Sequence, residues 1–197
     1  MPETVRAFVA LKLSAEMEEA LRRIQAGLQG QIARETCRWV RPADIHLTLK
    51  FLGDVPQTDV SEVADVIRMI CAQHQPFDLA LAQVGCFPNH RQPRVVWVGV
   101  SGDVAPLAAL QREIEEALSD LGYEAEVRGF SPHLTLARTS RNATPAQVAA
   151  LGQQLQRAQH REEASTHVDK VFLMRSDLHP SGPIYTELAM AELGKKA

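Results

Sequence analysis

The sequence carries no excess of positive charge, because 21 Lys and Arg residues stand against 24 Asp and Glu residues and the formal net charge is −3. A protein that follows many phosphates of a nucleic acid over a broad surface needs a large surplus of basic side chains. The composition therefore argues against such a surface. It still leaves room for a local basic pocket that holds one or two phosphates.

Cysteines are also few and scattered. Cys37, Cys71 and Cys86 are odd in number and form no Cys-x-x-Cys pair, which argues against a zinc knuckle and against a disulfide framework. No apolar run approaches the length of a membrane span, and the N-terminal segment lacks the basic start and cleavage site of a signal peptide. We therefore expect a cytoplasmic protein without a membrane segment.

The length and composition are ordinary for a soluble globular protein. The chain has 197 residues, of which 45% are hydrophobic and 23% charged. This is enough to bury a sizeable core, and no Ser/Gly-rich linker interrupts the chain. We predict one domain over residues 1–197, and we expect a monomer with no obligate protein partner.

A repeated tetrapeptide, His-Leu-Thr-Leu, is the most informative motif in the chain and occurs at residues 46–49 and 133–136. Side chains alternate between the faces of a strand, so His46 and Thr48 share one face, as do His133 and Thr135, and the Leu residues point into a core. Two such strands brought together would line a cleft with two imidazoles and two hydroxyls. In that cleft one imidazole can deprotonate an attacking oxygen and the other can protonate a departing one, while the hydroxyls bind phosphate oxygens.

The elements around the two motifs follow the same order. The first half predicts strands at residues 5–13, 45–51, 77–84 and 94–100, with helices capped by Ser14 and Thr58. The second half predicts a helix ending near Gly122, the second motif strand, a helix beginning at Pro145, and strands at residues 168–174 and 185–188. We predict an α+β, bilobal, duplicated fold with pseudo-repeat halves at about 1–101 and 102–197. Each lobe would be a mainly antiparallel sheet with helices on its outer face, and the cleft would lie between the lobes.

Five segments carry a resemblance to a known family. They are Arg6-Ala-Phe-Val-Ala, His46-Leu-Thr-Leu-Lys-Phe-Leu-Gly, Arg94-Val-Val-Trp-Val-Gly, Pro132-His-Leu-Thr-Leu-Ala-Arg and Gly182-Pro-Ile-Tyr. In these segments the chain resembles the two-histidine phosphoesterases, and most closely the bacterial RNA 2′,3′-cyclic phosphodiesterases, long labelled 2′-5′ RNA ligases. The segments span nearly the whole chain in order, so the resemblance covers the whole predicted domain.

The resemblance implies a reaction and roles for individual residues. The expected activity is hydrolysis of a 2′,3′-cyclic phosphate at an RNA end to a 2′-phosphomonoester without a metal or other cofactor, and the expected partners are RNA ends or nucleotides that carry such a phosphate. By motif position, His46 would be the proton donor and His133 the proton acceptor. Thr48 and Thr135 would hold phosphate oxygens, and Arg138 would add a positive contact.

Other functions remain open at this stage. The same site could hydrolyse small cyclic nucleotides or join RNA ends by 2′-5′ ligation, and a module that binds nucleotides or RNA ends without turnover is an alternative from another class. Metal binding finds little support, because neither motif is His-x-x-x-His and no acidic residue adjoins either His as an obvious ligand.

Strand geometry decides which basic side chains can reach the site. Strict alternation sends Arg138 to the face opposite His133, so Arg138 reaches the site only if the strand ends or bulges after Ala137. Alternation favours Lys50, which would share the face of the first motif, with a solvated strand end as its alternative. Arg6 either lines the cleft or pairs with a surface carboxylate.

Three aromatic residues could stack on a base. Phe130, Tyr185 and Trp97 are candidates of this kind, and for each the alternative is packing in the core or along a strand.

Overall fold

The computed structural model describes residues 3–179 and 182–194. Its strands are β1 (Thr4–Leu11), β2 (Cys37–Trp39), β3 (Leu47–Pro56), β4 (Phe77–Phe87), β5 (Val95–Gly102), β6 (His133–Thr139), β7 (Ser165–Val168), β8 (Lys170–His179) and β9 (Gly182–Glu192). Its helices are α1 (Ala15–Gln29), α2 (Val60–Cys71), α3 (Val104–Asp120) and α4 (Pro145–Arg157).

Helix starts follow the capping chemistry of the sequence in two of the three predicted cases. Ser14 caps α1 by accepting a hydrogen bond from the amide of Met17 at 3.2 Å. Thr144 caps α4 in a capping box with Gln147, just before Pro145 at the first helical position. The prediction for Thr58 is wrong, because α2 begins at Val60 after a short 3₁₀ turn.

All strand pairings within the described residues are antiparallel and join the strands into one sheet of order β7-β4-β5-β6-β3-β1-β8-β9, with β2 alongside β6. The α+β class with a mainly antiparallel sheet is confirmed. The division into two lobes stays a prediction, since hydrogen bonding continues through the middle of the sheet, where Leu47 lies opposite Leu134.

Each side of the sheet contains strands from both halves of the sequence. β4 and β5, from the first half, lie beside the second motif strand β6. β8 and β9, from the second half, lie beyond β1 on the side of the first motif strand β3. A boundary near residue 101 therefore does not separate the two sides of the sheet in space.

One large core lies between the sheet and the four helices. Each helix contributes its buried apolar side chains to the same cluster, for example Leu21 of α1, Ile67 of α2 and Leu110 of α3. The motif leucines, including Leu47 and Leu134, belong to this cluster and are at most 3% exposed. The His and Thr side chains between them therefore point to the opposite face of the sheet, which we call the site face.

Candidate active site

The two motif strands are neighbours at the centre of the sheet. Leu47 of β3 lies opposite Leu134 of β6, and continuing this register by one residue places His46 opposite Thr135 and Thr48 opposite His133. The two histidines are then diagonal neighbours, a relation that brings residues to within about 7–8 Å in an antiparallel pair. Both imidazoles and both hydroxyls thus converge on one spot of the site face.

Both imidazole rings are fixed in the same tautomer by the backbone. His46 Nδ1 lies 2.8 Å from the carbonyl oxygen of Asp44, and His133 Nδ1 lies 2.7 Å from that of Ser131. A carbonyl oxygen only accepts, so Nδ1 donates in each case and Nε2 of the neutral ring carries the free lone pair. Neither Nε2 has a hydrogen-bond partner within the described ranges, so both are available to a ligand.

His46 lies in an aromatic setting. Its ring stacks on Phe8 with centroids 4.8 Å apart and meets the edge of Tyr185 at 5.0 Å. Burial is the largest effect on this group and lowers the pKa of His46, while the carbonyl and the charge of Asp44 act in the opposite direction. The neutral imidazole is therefore favoured in the free protein.

His133 has a comparable setting built from β4 and β5. Its ring makes an edge contact with the ring of Phe87, with centroids 4.9 Å apart, and its centroid lies 6.4 Å from that of Trp97. The Trp97 ring covers Gly85, where any Cβ would collide with the indole, so glycine is needed there for this close approach. Burial again is the main cause that lowers the pKa of His133, and here the charge of Arg138 lowers it further.

A β-bulge brings Arg138 to the site face. Thr135 and Ala137 lie opposite two consecutive residues of β5, so Leu136 is an extra residue in β6. The bulge turns Ala137 toward the core and Arg138 toward the face that carries His133. Strict alternation required the strand to end or bulge after Ala137 for Arg138 to reach the site. A bulge is present, although it lies one residue earlier than expected.

The equivalent bulge in β3 removes Lys50 from the site face. Thr48 and Lys50 lie opposite consecutive residues of β1, so Leu49 is the extra residue. Lys50 is 3% exposed beneath α3, and its Nζ donates to Glu115 Oε1 at 2.5 Å and to the carbonyl of Glu124 at 2.9 Å. The alternation that placed Lys50 in the cleft is therefore wrong, because it did not include the bulge.

Arg6 and Phe130 take different positions. Arg6 is exposed and shares the site face with Phe8, as alternation predicted. Burial and, after it, the charge of Asp44 raise the pKa of Tyr185. The charges of Arg138 and Arg6 oppose this shift. Phe130 instead packs against the large core, in line with its alternative interpretation.

Sequence reasoning does not identify the two phenylalanines that pack against the imidazole rings of His46 and His133. Alternation relates Phe8 only to the face of Arg6, and no pattern in the chain points to Phe87. The alternation of β1 is the signal that could have found Phe8, since Val5, Ala7 and Val9 enter the core and leave Phe8 on the site face.

Two further questions concern metals and membranes. Within residues 3–179 and 182–194, no three His, Cys, Asp or Glu side chains are grouped so that they could share a metal ion. In the same residues no helix has the length and apolar character that crossing a bilayer requires. The expected independence from metals stays a prediction for experiment.

A family model and proteins of known activity match most of this chain. A family model described as the 2′-5′ RNA ligase superfamily matches residues 13–180. An RNA 2′,3′-cyclic phosphodiesterase of Methanothermobacter thermautotrophicus is 35% identical over 189 residues, covering 96% of this chain and 99% of that protein. One of Aquifex aeolicus is 31% identical over 193 residues, covering 98% and 99%.

Solved structures extend the similarity to the fold. The crystal structure of Escherichia coli LigT complexed with 3′-AMP superimposes with a TM-score of 0.77 at 25% identity, covering 98% of this chain and 100% of that one. A protein of Thermus thermophilus, TT0787, superimposes with a TM-score of 0.74 at 26% identity, covering 98% and 100%. The shared fold therefore includes both motif strands.

Proposed function

The chain belongs to the 2′-5′ RNA ligase superfamily, and from that premise we propose that it hydrolyses the 2′,3′-cyclic phosphate at an RNA end to a 2′-phosphomonoester. Relatives that match nearly its whole length are RNA 2′,3′-cyclic phosphodiesterases. The observation that carries the proposal is that the two motif strands adjoin at Leu47 and Leu134, a register that makes the histidines diagonal neighbours, while each Nδ1 is held by a backbone carbonyl and each Nε2 is free.

The reaction requires two proton transfers, and two imidazoles can supply both. A water molecule attacks phosphorus and loses a proton to one Nε2 while the bond from phosphorus to O3′ breaks. The leaving O3′ takes a proton from the other imidazole, so that the products are a 3′-hydroxyl and a 2′-phosphate. Imidazole, with an ordinary pKa of about 6.5, can hold either protonation state near neutral pH.

The surroundings of the two histidines support a division of labour. Burial is the main cause that lowers the pKa of both histidines, and at His133 the positive charge of Arg138 lowers it further, which suits a base that starts neutral. At His46 the carbonyl and the negative charge of Asp44 oppose the lowering by burial, which suits an acid better than the surroundings of His133 do. This electrostatic difference agrees with the roles that motif position implies.

Charge on the phosphate oxygens needs donors that are already in place. Thr48 and Thr135 flank the two imidazoles through the register of β3 and β6, and Arg138 reaches the same face after the bulge. Hydroxyl and guanidinium groups held in position can stabilise the extra charge of a pentacoordinate transition state without reorganisation.

The test is incubation with a dinucleotide that ends in a 2′,3′-cyclic phosphate. The expected product is the 2′-phosphomonoester, identified by chromatography against 2′- and 3′-phosphate standards, and turnover should survive exhaustive EDTA treatment. His46→Ala and His133→Ala serve as matched controls. A 3′-phosphate product, or unchanged activity in both variants, would contradict the mechanism.

Ligation is the second candidate, and the description of the family model favours it. Ligation would use the same groups, with an RNA 5′-hydroxyl in place of water: it loses its proton to one imidazole and bonds to phosphorus, while the bond to O3′ breaks and O3′ takes a proton from the other. Water vastly outnumbers RNA ends in dilute solution, so hydrolysis should dominate. We further propose a monomer in a reducing cytoplasm, in keeping with three free and buried cysteines.

A further inference from the structure

A second arginine stands directly beside Arg138. The short strand β2 pairs with the end of β6, and in this register Arg38 lies opposite Arg138. The next pair in the register, Trp39 and Ala137, belongs to the side of the core. Alternation therefore places both arginine side chains on the site face.

This pairing puts two like charges next to each other with no counter-charge. Side chains directly opposite in an antiparallel pair are about 5 Å apart at Cβ, a separation that is unfavourable for like charges. Both arginines are exposed, and within the described ranges neither has a carboxylate at salt-bridge distance. Arg41, close by on the chain, differs because it is paired with Asp44 at 2.5 Å. An anion between Arg38 and Arg138 would relieve their repulsion.

Position along β6 relates this arginine pair to the site. Arg138 is three residues beyond Thr135, a span of up to about 10 Å along a strand. β2 lies along the same edge of β6 as β3, so Arg38 extends the side of the cleft that carries His46. The pair therefore continues the site beyond the point where the histidines converge.

The donors at the reacting phosphate are already sufficient without Arg38. A cyclic phosphodiester has two non-bridging oxygens, and Thr48, Thr135 and Arg138 can satisfy them. Arg38 thus remains for another anion nearby. An RNA end supplies one in the phosphodiester on the 5′ side of its terminal nucleoside, whereas a mononucleoside cyclic phosphate has none.

We propose that Arg38 binds the phosphodiester that precedes the terminal nucleotide, so that this site selects oligonucleotide ends over mononucleoside cyclic phosphates. The inference rests on the proposed function, because it assumes that a cyclic phosphate occupies the histidine site. It adds a specificity determinant that acts away from the bond being broken.

The experiment compares adenosine 2′,3′-cyclic phosphate with adenylyl-adenosine 2′,3′-cyclic phosphate. Arg38→Gln should lower kcat/KM for the dinucleotide about tenfold, the usual worth of a charged hydrogen bond, and should leave the mononucleoside reaction within about twofold. The slope of log(kcat/KM) against log salt for the dinucleotide should become shallower by about 0.7. Arg38→Lys should retain most of that slope, and Arg112→Gln, on the exposed surface of α3, is the matched control.

Binding measurements separate this inference from the proposed function. Calorimetry with adenosine 2′-phosphate and with the dinucleotide bearing a terminal 2′-phosphate needs no turnover. Arg38→Gln should weaken only the dinucleotide, with the thermal unfolding temperature unchanged. Equal loss for both ligands, or no loss for either, would overturn the role of Arg38. Normal discrimination in binding without hydrolysis would overturn only the proposed function.

Discussion

Replacement of Lys50 by Met tests how the bulged strand is anchored. The Lys50 side chain is 1% exposed and its partner Glu115 is 17% exposed, so the ion pair lies almost wholly inside the protein. Lys50 Nζ also donates to the carbonyl of Glu124 at 2.9 Å, and Glu115 Oε1 accepts from the amide of Glu126 at 3.0 Å. The pair therefore joins the first motif strand to α3 and to the segment that leads toward the second motif.

The expected loss of stability follows from leaving a charge without its partner. Methionine fills much of the volume of the lysine stem but leaves the carboxylate of Glu115 buried without a cation. Breaking one side of such a pair costs about 3–5 kcal/mol. In a chain of this length each kcal/mol corresponds to about 2–4 °C, so Lys50→Met should lower Tm by about 6–20 °C. Lys170→Met, which removes a surface pair with Asp169, should cost about 0–1 kcal/mol.

Urea unfolding of a double-mutant cycle provides the measurement. Lys50→Met and Glu115→Met should each destabilise strongly, whereas the double variant should recover much of the loss, because an apolar pair replaces two charges. Additive losses, or a loss below about 1 kcal/mol for Lys50→Met, would refute the buried pair. Well below Tm, kcat should remain within a few-fold, and a loss near 10²-fold would return Lys50 to the site.

The remaining predictions concern catalysis. His46→Ala and His133→Ala should each lower kcat by about 10²–10⁴-fold, the double variant should lose far less than the product of these factors, and a better 3′ leaving group should rescue only His46→Ala. Thr48→Val and Thr135→Val should each cost only about tenfold in kcat, because each removes one hydrogen bond. The pKa values of both histidines are lowered, so the alkaline limb of kcat/KM, where the acid loses its proton, should lie below pH of about 6.5. Arg138→Gln removes a nearby positive charge and should move the NMR titration of His133 to higher pH; an unchanged titration would place Arg138 away from the ring.

The shared face of each His and Thr was predictable because it depends on the intervening leucines. Leu47 and Leu134 are driven into the core by their apolar side chains, and the two-residue period then leaves only one place for the histidines. The same local chemistry predicted the cap at Ser14 and the start of a helix at Pro145. These features need only neighbours in sequence.

The bulges, and the pairing of strands from different halves of the sequence, could not be predicted from neighbours in sequence. A bulge often has a glycine as its signal, but here the extra residues are Leu49 and Leu136, which look like ordinary strand residues. The pairing of β8 with β1 joins residues more than 150 positions apart, and no local pattern selects that partner. Long-range packing determines both, and with them the positions of Lys50 and Arg138.

The same bulge in two near-identical strands gives the two copies of the motif different surroundings. In each strand the second residue after the extra leucine turns to the site face, and this residue is Phe51 in β3 but Arg138 in β6. Phe51 extends the aromatic setting of Phe8, with ring centroids 6.2 Å apart, whereas Arg138 puts a positive charge near His133. Burial lowers the pKa of both imidazoles; the guanidinium lowers that of His133 further, whereas the Asp44 carboxylate opposes the lowering at His46. Symmetry of the backbone thus brings the two histidines together, and one asymmetric position after each bulge makes them chemically unequal.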